Sequence, residues 1–128
     1  MANKFMLDSS AWVEYLAGTS SGAKIKEILD NNNVVTSILT IAELSDKFAH
    51  DKKDFESSLA FMVSKSNIVE ISYEVAKNSG QLKNEVRKHH KNFSLVDAIL
   101  YLTSQEQNAG LITIDQDFSE LKDVIMLK

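Results

Sequence analysis

Residues 4–12 read KFMLDSSAW. Phe5, Met6 and Leu7 leave no polar side on an alternating strand, which is the pattern of a central strand in a parallel sheet covered on both faces. Asp8 ends the run, and Ser9 and Ser10 lead straight into a helical pattern. A carboxylate at the carboxyl end of such a strand sits where open α/β sheets bind ligands, in the crevice at the switch point. An Asp before two serines is equally an ordinary helix N-cap. Both readings of Asp8 stand at this point.

The chain beyond repeats this alternation. Ala11, Trp12, Tyr15 and Leu16 share one helical face, and Gly18 supplies a stop. Ile25, Ile28 and Leu29 predict a second helix over 21–31, ended by Asn31, Asn32 and Asn33, and residues 34–36 read as strand two. Ile41, Leu44 and Phe48 predict a helix over 38–49, and Phe55, Leu59 and Met62 repeat that spacing beyond the charged linker 51–54, giving a helical hairpin. A third strand is expected over 67–71, after which Ser72 caps a long helix carrying Val75, Ala76, Leu82 and Val86. Ser94 opens SLVDAILYLTSQ, apolar over most of its circumference and read as buried. Residues 111–114 form a fourth strand ending at Asp115, a single turn follows around Asp117, Phe118 and Leu121, and residues 124–127 close the pattern as a fifth strand. The expectation is an α/β fold of three layers, with a mostly parallel sheet of about five strands.

The chain has 128 residues, suiting one domain over 1–128. Cysteine is absent, which excludes disulfides, thiolate catalysis and cysteine-type zinc sites. No apolar run reaches membrane-spanning length and no basic stretch leads into an apolar segment near the start, so a cytoplasmic protein without membrane contact is expected. The net charge of −4 does not advertise nucleic-acid binding, although clustered acids that hold cations would themselves make the sum negative.

Four acids share a position. Asp8, Glu43, Asp97 and Asp115 each lie at or near the start of a helix or helical turn, and Thr40-x-x-Glu43 and Ser94-x-x-Asp97 both match capping-box spacing. Asp8 and Asp115 also each end an apolar strand, and parallel strands deliver those ends to one edge. Asp97 is flanked by Leu95, Val96, Ala98, Ile99 and Leu100, with no lysine or arginine within a helical turn. A charge in such surroundings is costly without a cationic partner. Two carboxylates 4 Å apart repel by roughly 4 kcal/mol at an effective dielectric near 20, so a group of four calls for a counter-ion. Hard divalent cations such as Mg²⁺ or Mn²⁺ take oxygen ligands and fit the need. The matching chemistry is phosphodiester hydrolysis, in which the ion activates water and stabilises the entering and leaving oxygens.

Other polar features are weaker. Arg87, Lys88, His89, His90 and Lys91 either complement a helix dipole or contact phosphates. His50 is expected at the surface, the neighbouring His89 and His90 would diverge on a helix and make a poor metal pair, Trp12 reads as core, and Glu14 reads as solvent-exposed rather than as part of the acidic group. No glycine-rich phosphate loop is present.

Four pieces, LDSSAWVEYL (7–16), TSILTIAEL (36–44), SLVDAILYLTS (94–104) and LITIDQDF (111–118), together resemble the PIN-domain ribonucleases, and in particular the VapC toxins of toxin–antitoxin pairs, in order and spacing across essentially the whole chain. The resemblance implies a Mg²⁺- or Mn²⁺-dependent endoribonuclease with Asp8, Glu43, Asp97 and Asp115 as the metal-holding quartet. Ser10 and Thr113 match small hydroxyl positions beside that site, and Asp117 is an addition where related sequences vary. It further implies an RNA substrate, a homodimer, and a small antitoxin that inserts into the active-site groove, with the helices at 41–48 and 55–62 as the place to look for groove and dimer contact. Two other readings compete. A receiver-type phosphoacceptor domain also uses acids at strand ends, but needs paired acids after strand one, where this chain has only Asp8, and a lysine after its last strand, where this chain has only Lys128 in final position. A catalytically silent module that binds RNA or protein keeps the same fold, and DNA is an alternative substrate, since no residue identified here senses a ribose hydroxyl.

Overall fold

Every strand of the sheet runs the same way, so every strand ends on one edge and the next helix starts there. The computed structural model describes residues 3–127; Lys128 lies outside them. The elements are β1 (Lys4–Leu7), α1 (Ser9–Ala17), α2 (Ser20–Asn31), β2 (Asn33–Ser37), α3 (Ile38–His50), α4 (Glu56–Lys65), β3 (Asn67–Val69), α5 (Tyr73–Val86), α6 (Leu95–Glu106), β4 (Gly110–Thr113), a 3₁₀ turn (Gln116–Phe118) and β5 (Val124–Met126). The sheet order is β3-β2-β1-β4-β5, with Met6 registered against Val35 on one side and Leu111 on the other. All four pairings are parallel, a stricter arrangement than the expected mostly parallel sheet.

The apolar run at β1 serves both faces. Met6 joins Val35, Leu111, Phe93, Tyr101 and Phe118 in a core under α5 and α6. Leu7 joins Ala11, Trp12, Ile25, Leu44, Met62 and Ile112 in a second core under α1 to α4. This is the three-layer α/β/α arrangement expected for a β-strand–helix alternation. Gly18 ends α1 in the left-handed conformation (φ 71°), where glycine has no Cβ to strain. Gly22 brings α2 onto α1, because a Cβ there would stand 2.4 Å from the Glu14 carbonyl oxygen. The expected hairpin of α3 and α4 closes through Phe48 and Phe55, whose rings lie 5.3 Å apart.

Some boundaries and burials differ from expectation. The third strand stops at Val69 rather than 71, and the fifth at Met126. Asn31 belongs to α2 and Asn33 to β2. Helix α6 is not buried all round: Leu95 is 46% exposed and Ile99 and Leu102 are half-buried. Its buried face instead carries Thr103 and Ser104, whose hydroxyls donate to the carbonyls of Ile99 and Tyr101. Locally satisfied hydroxyls are cheap to bury, and that frees some apolar residues to face outward. Among the described residues no helix is long and apolar enough to cross a membrane.

Candidate active site

Asp8 is the N-cap of α1 and stands where β1 ends, at the carboxyl edge of the sheet. Its Oδ1 accepts from the Ala11 backbone N–H at 2.9 Å, capping α1, and from the Ser10 hydroxyl at 2.7 Å. Its Oδ2 accepts from the Thr113 hydroxyl at the end of β4. The backbone N–H groups of Ile114 and Asp115 donate in turn to the Ser10 and Thr113 hydroxyls. Ser10 and Thr113 therefore stitch the β1 and β4 ends together and fix the Asp8 carboxylate between them. Only 4% of Asp8 is exposed. Burial pushes its carboxyl above the usual range, those three hydrogen bonds pull it back, and the charge of Asp115 raises it further.

Asp97, the third residue of α6, completes a full capping box with the N-cap Ser94: its Oδ2 accepts from the Ser94 N–H at 2.8 Å while its own N–H donates to the Ser94 hydroxyl at 3.0 Å. Burial raises its carboxyl, Ser94 opposes that, and the charges of Asp115 and Asp117 add to it. Asp115 caps the 3₁₀ turn by accepting from the Asp117 N–H at 2.9 Å. Carboxylate oxygens of Asp97, Asp115 and Asp117 all lie within 4.8 Å of one another.

Glu43 arrives differently. Helix α3 starts directly after β2, with Ser37 as its N-cap accepting from the Leu39 N–H, so Thr40 and Glu43 lie inside the helix and form no capping box. The Glu43 carboxyl is pushed up to about 7, first by burial and then by the charges of Asp8 and Asp97, with the Ser9 hydroxyl opposing. Its Oε1 is buried without a hydrogen-bond partner, as is the hydroxyl of Thr40. Among the described residues, neither lysine nor arginine pairs with Asp8, Glu43, Asp97 or Asp115. The structure thus brings the four expected acids to one sheet edge and adds Asp117 to them.

The other candidates fall at varying distances from this edge. Arg87, Lys88 and Lys91 are exposed on the loop after α5, where the Arg87 Nε–H donates to the Lys91 carbonyl at 2.9 Å. Their neighbour His90 is half-buried, 3.9 Å from the Asp117 carboxylate and 3.2 Å from that of Glu120, whereas His89 is exposed. No spacing in the sequence announced the His90 contacts. His50 is exposed, and Trp12 is fully buried with its indole N–H donating to Thr36. Glu14 is not solvent-exposed as expected: it is half-buried, accepts from the Thr19 hydroxyl at 2.8 Å, and lines a cleft of about 390 Å³ with Ser10, Glu43 and Lys47. A larger hollow of about 700 Å³ lies at the opposite edge, between Phe5, Gly110 and Val124, and contains none of the four acids.

In a comparison with known proteins, the PIN domain family matches residues 5–124. No curated protein sequence matches the chain. Among solved structures, VapBC2 from Rickettsia felis, bound to a DNA fragment from its promoter, aligns at a TM-score of 0.76 and 21% identity over 97% of each chain. A toxin–antitoxin complex from Klebsiella pneumoniae aligns at 0.72 and 24% identity over 95% of this chain and 96% of that one. Mycobacterium tuberculosis VapC20, a sarcin–ricin loop cleaving toxin, aligns at 0.72 and 16% identity over 97% and 98%. Likeness at such identities establishes the fold, and a receiver domain is thereby set aside. With five parallel strands in α/β/α layers and a family match over nearly all of its length, the chain belongs to the PIN-domain family.

Proposed function

We propose that this protein is a metal-dependent endoribonuclease and the toxin of a toxin–antitoxin pair. The observation that carries the reading is the gathering of Asp97, Asp115 and Asp117 oxygens within 4.8 Å, beside an Asp8 and a Glu43 that lack a cationic partner. The donor set fits a hard divalent ion: all ligands are carboxylate oxygens, and the orphaned Glu43 Oε1 is a buried acceptor with nothing to accept from. Asp97, Asp115 and Asp117 would hold Mg²⁺ or Mn²⁺, with Asp8 and Glu43 completing its surroundings. When bound, such an ion supplies Lewis-acid activation of water and neutralises charge on the phosphate oxygens.

The chain's own contributions are separable. Ser10 and Thr113 hold the Asp8 carboxylate in one orientation, and Ser94 holds that of Asp97, so neither needs to reorganise when substrate arrives. The N-termini of α1 and α6 favour the ionised form of both acids. Arg87, Lys88 and Lys91 are exposed and would meet RNA phosphates, Lys88 by giving up its exposed 3.5 Å pair with Glu85. The neighbouring VapBC structures support a small antitoxin as partner, and the family resemblance supports a homodimer acting in the cytoplasm, with residues 1–128 as one domain. Of the two helices expected to form the groove, Leu44 and Met62 turn into the core, so only their outer residues serve such contacts.

The test is cleavage of total cellular RNA by purified protein in EDTA, Mg²⁺ or Mn²⁺, beside an Asp8→Asn, Asp97→Asn double variant. Asparagine retains one acceptor oxygen for each cap, and circular dichroism checks that the variant is folded. Metal-dependent cutting lost in the variant supports the reading; RNA left intact in every metal by well-folded wild type overturns it in favour of a silent binding module.

A further inference from the structure

Between the end of α5 and the 3₁₀ turn lies a cleft of about 250 Å³. Leu82, Val86 and Leu121 make its apolar floor, and His90, Asp117 and Glu120 stand on its wall. Asp117 belongs both to this cleft and to the convergent acid trio, so an occupant adjoins the candidate site. His90 is packed in place, with 19% of its side chain exposed, whereas Glu120 is 69% exposed and lies 3.2 Å from the His90 Nε2. A carboxylate only accepts, so that contact places the ring hydrogen on Nε2.

The lining narrows the chemistry of the occupant. An apolar floor beside an imidazole suits a flat ring, the mode by which proteins take up splayed-out bases of single-stranded RNA. Asp117, Glu120 and Glu85, which also lines the cleft and pairs with Lys88 at 3.5 Å, repel a phosphate and welcome N–H donors. Guanine alone among the RNA bases presents two adjacent donors, N1–H and N2–H, on its Watson–Crick edge, which match the two oxygens of one carboxylate. Uracil offers a single N3–H between two carbonyls that face the carboxylate lone pairs.

We infer that this cleft is a base-binding subsite in which Glu120, steadied by His90, reads a guanine of single-stranded RNA. The inference rests on the nuclease reading above. It is tested by titrating isotope-labelled protein in EDTA with 5′-GMP and 5′-UMP, which carry the same phosphate, and following NMR signals. Signals of Leu82, Val86, His90 and Leu121 are expected to move with GMP at an affinity about tenfold above that of UMP, and Glu120→Gln should bring the two within about twofold. Equal responses to both nucleotides, or shifts confined to other residues, overturn it. RNA cleavage separates the two ideas: cutting without a GMP preference removes the subsite and keeps the nuclease, while a GMP preference without cutting supports the subsite and removes the nuclease.

Discussion

Glu43 is the acid whose surroundings do most to disfavour its charge. Its carboxyl sits near 7 rather than at the ordinary 4.5, so over that interval the folded protein holds a proton that the unfolded chain has released. Protonated Glu43 therefore supports the fold on the acid side, and that support is lost as pH rises through about 7. Thermal melts in EDTA should show the melting temperature falling from about pH 5 to pH 8, with Glu43→Gln flattening the slope. The raised Asp8 and Asp97 act in the same direction. Asp97→Asn should raise the metal-free melting temperature by relieving repulsion at the acidic edge, while lowering RNA cleavage by at least about a hundredfold. Loss of folding along with activity would instead make Asp97 chiefly a cap.

At the scale of elements, the site is a by-product of how helices begin. Asp8 and Asp115 each spend part of their hydrogen bonding on the turn they cap, and Asp97 on the first turn of α6 behind its cap Ser94, and the parallel sheet brings those starts to one edge. This is why the three were legible in the sequence: a cap and a strand end are local patterns. Glu43 is legible only by its place early in a helix and by the resemblance, and the capping box that its spacing from Thr40 suggests is pre-empted by the earlier cap Ser37. The Thr40 hydroxyl is left buried and unpaired, so Thr40→Val should stabilise the protein by about 1 kcal/mol in denaturant melts. The cleft at His90 had no local signature, because it exists only where α5 meets the turn after β4. Gly22 was equally silent, its role being set by the approach of α1. Gly22→Ala should cost about 1–3 kcal/mol, since the clash is with backbone that cannot rotate away.

For the whole molecule, alternation of strand and helix made the layering readable, whereas exposure of α6 was not, because apolar periodicity does not say which neighbours will cover a face. Adding Mn²⁺ to metal-free protein should raise the melting temperature by several degrees once the ion exceeds its dissociation constant about a hundredfold. That gain should shrink sharply in Asp97→Asn. A melting temperature indifferent to the ion would mean that the acidic edge holds none. The hydrogen bond from Thr113 to Asp8 spans 105 positions of sequence, with an order of elements that leaves β1 unpaired on one side until β4 is made. During translation, then, a growing polypeptide exposes Asp8 early but has no Thr113, Asp115 or Asp117 to set beside it until β4 and the turn after it have left the ribosome. The acidic edge therefore comes together only once β4 and the turn after it have joined β1.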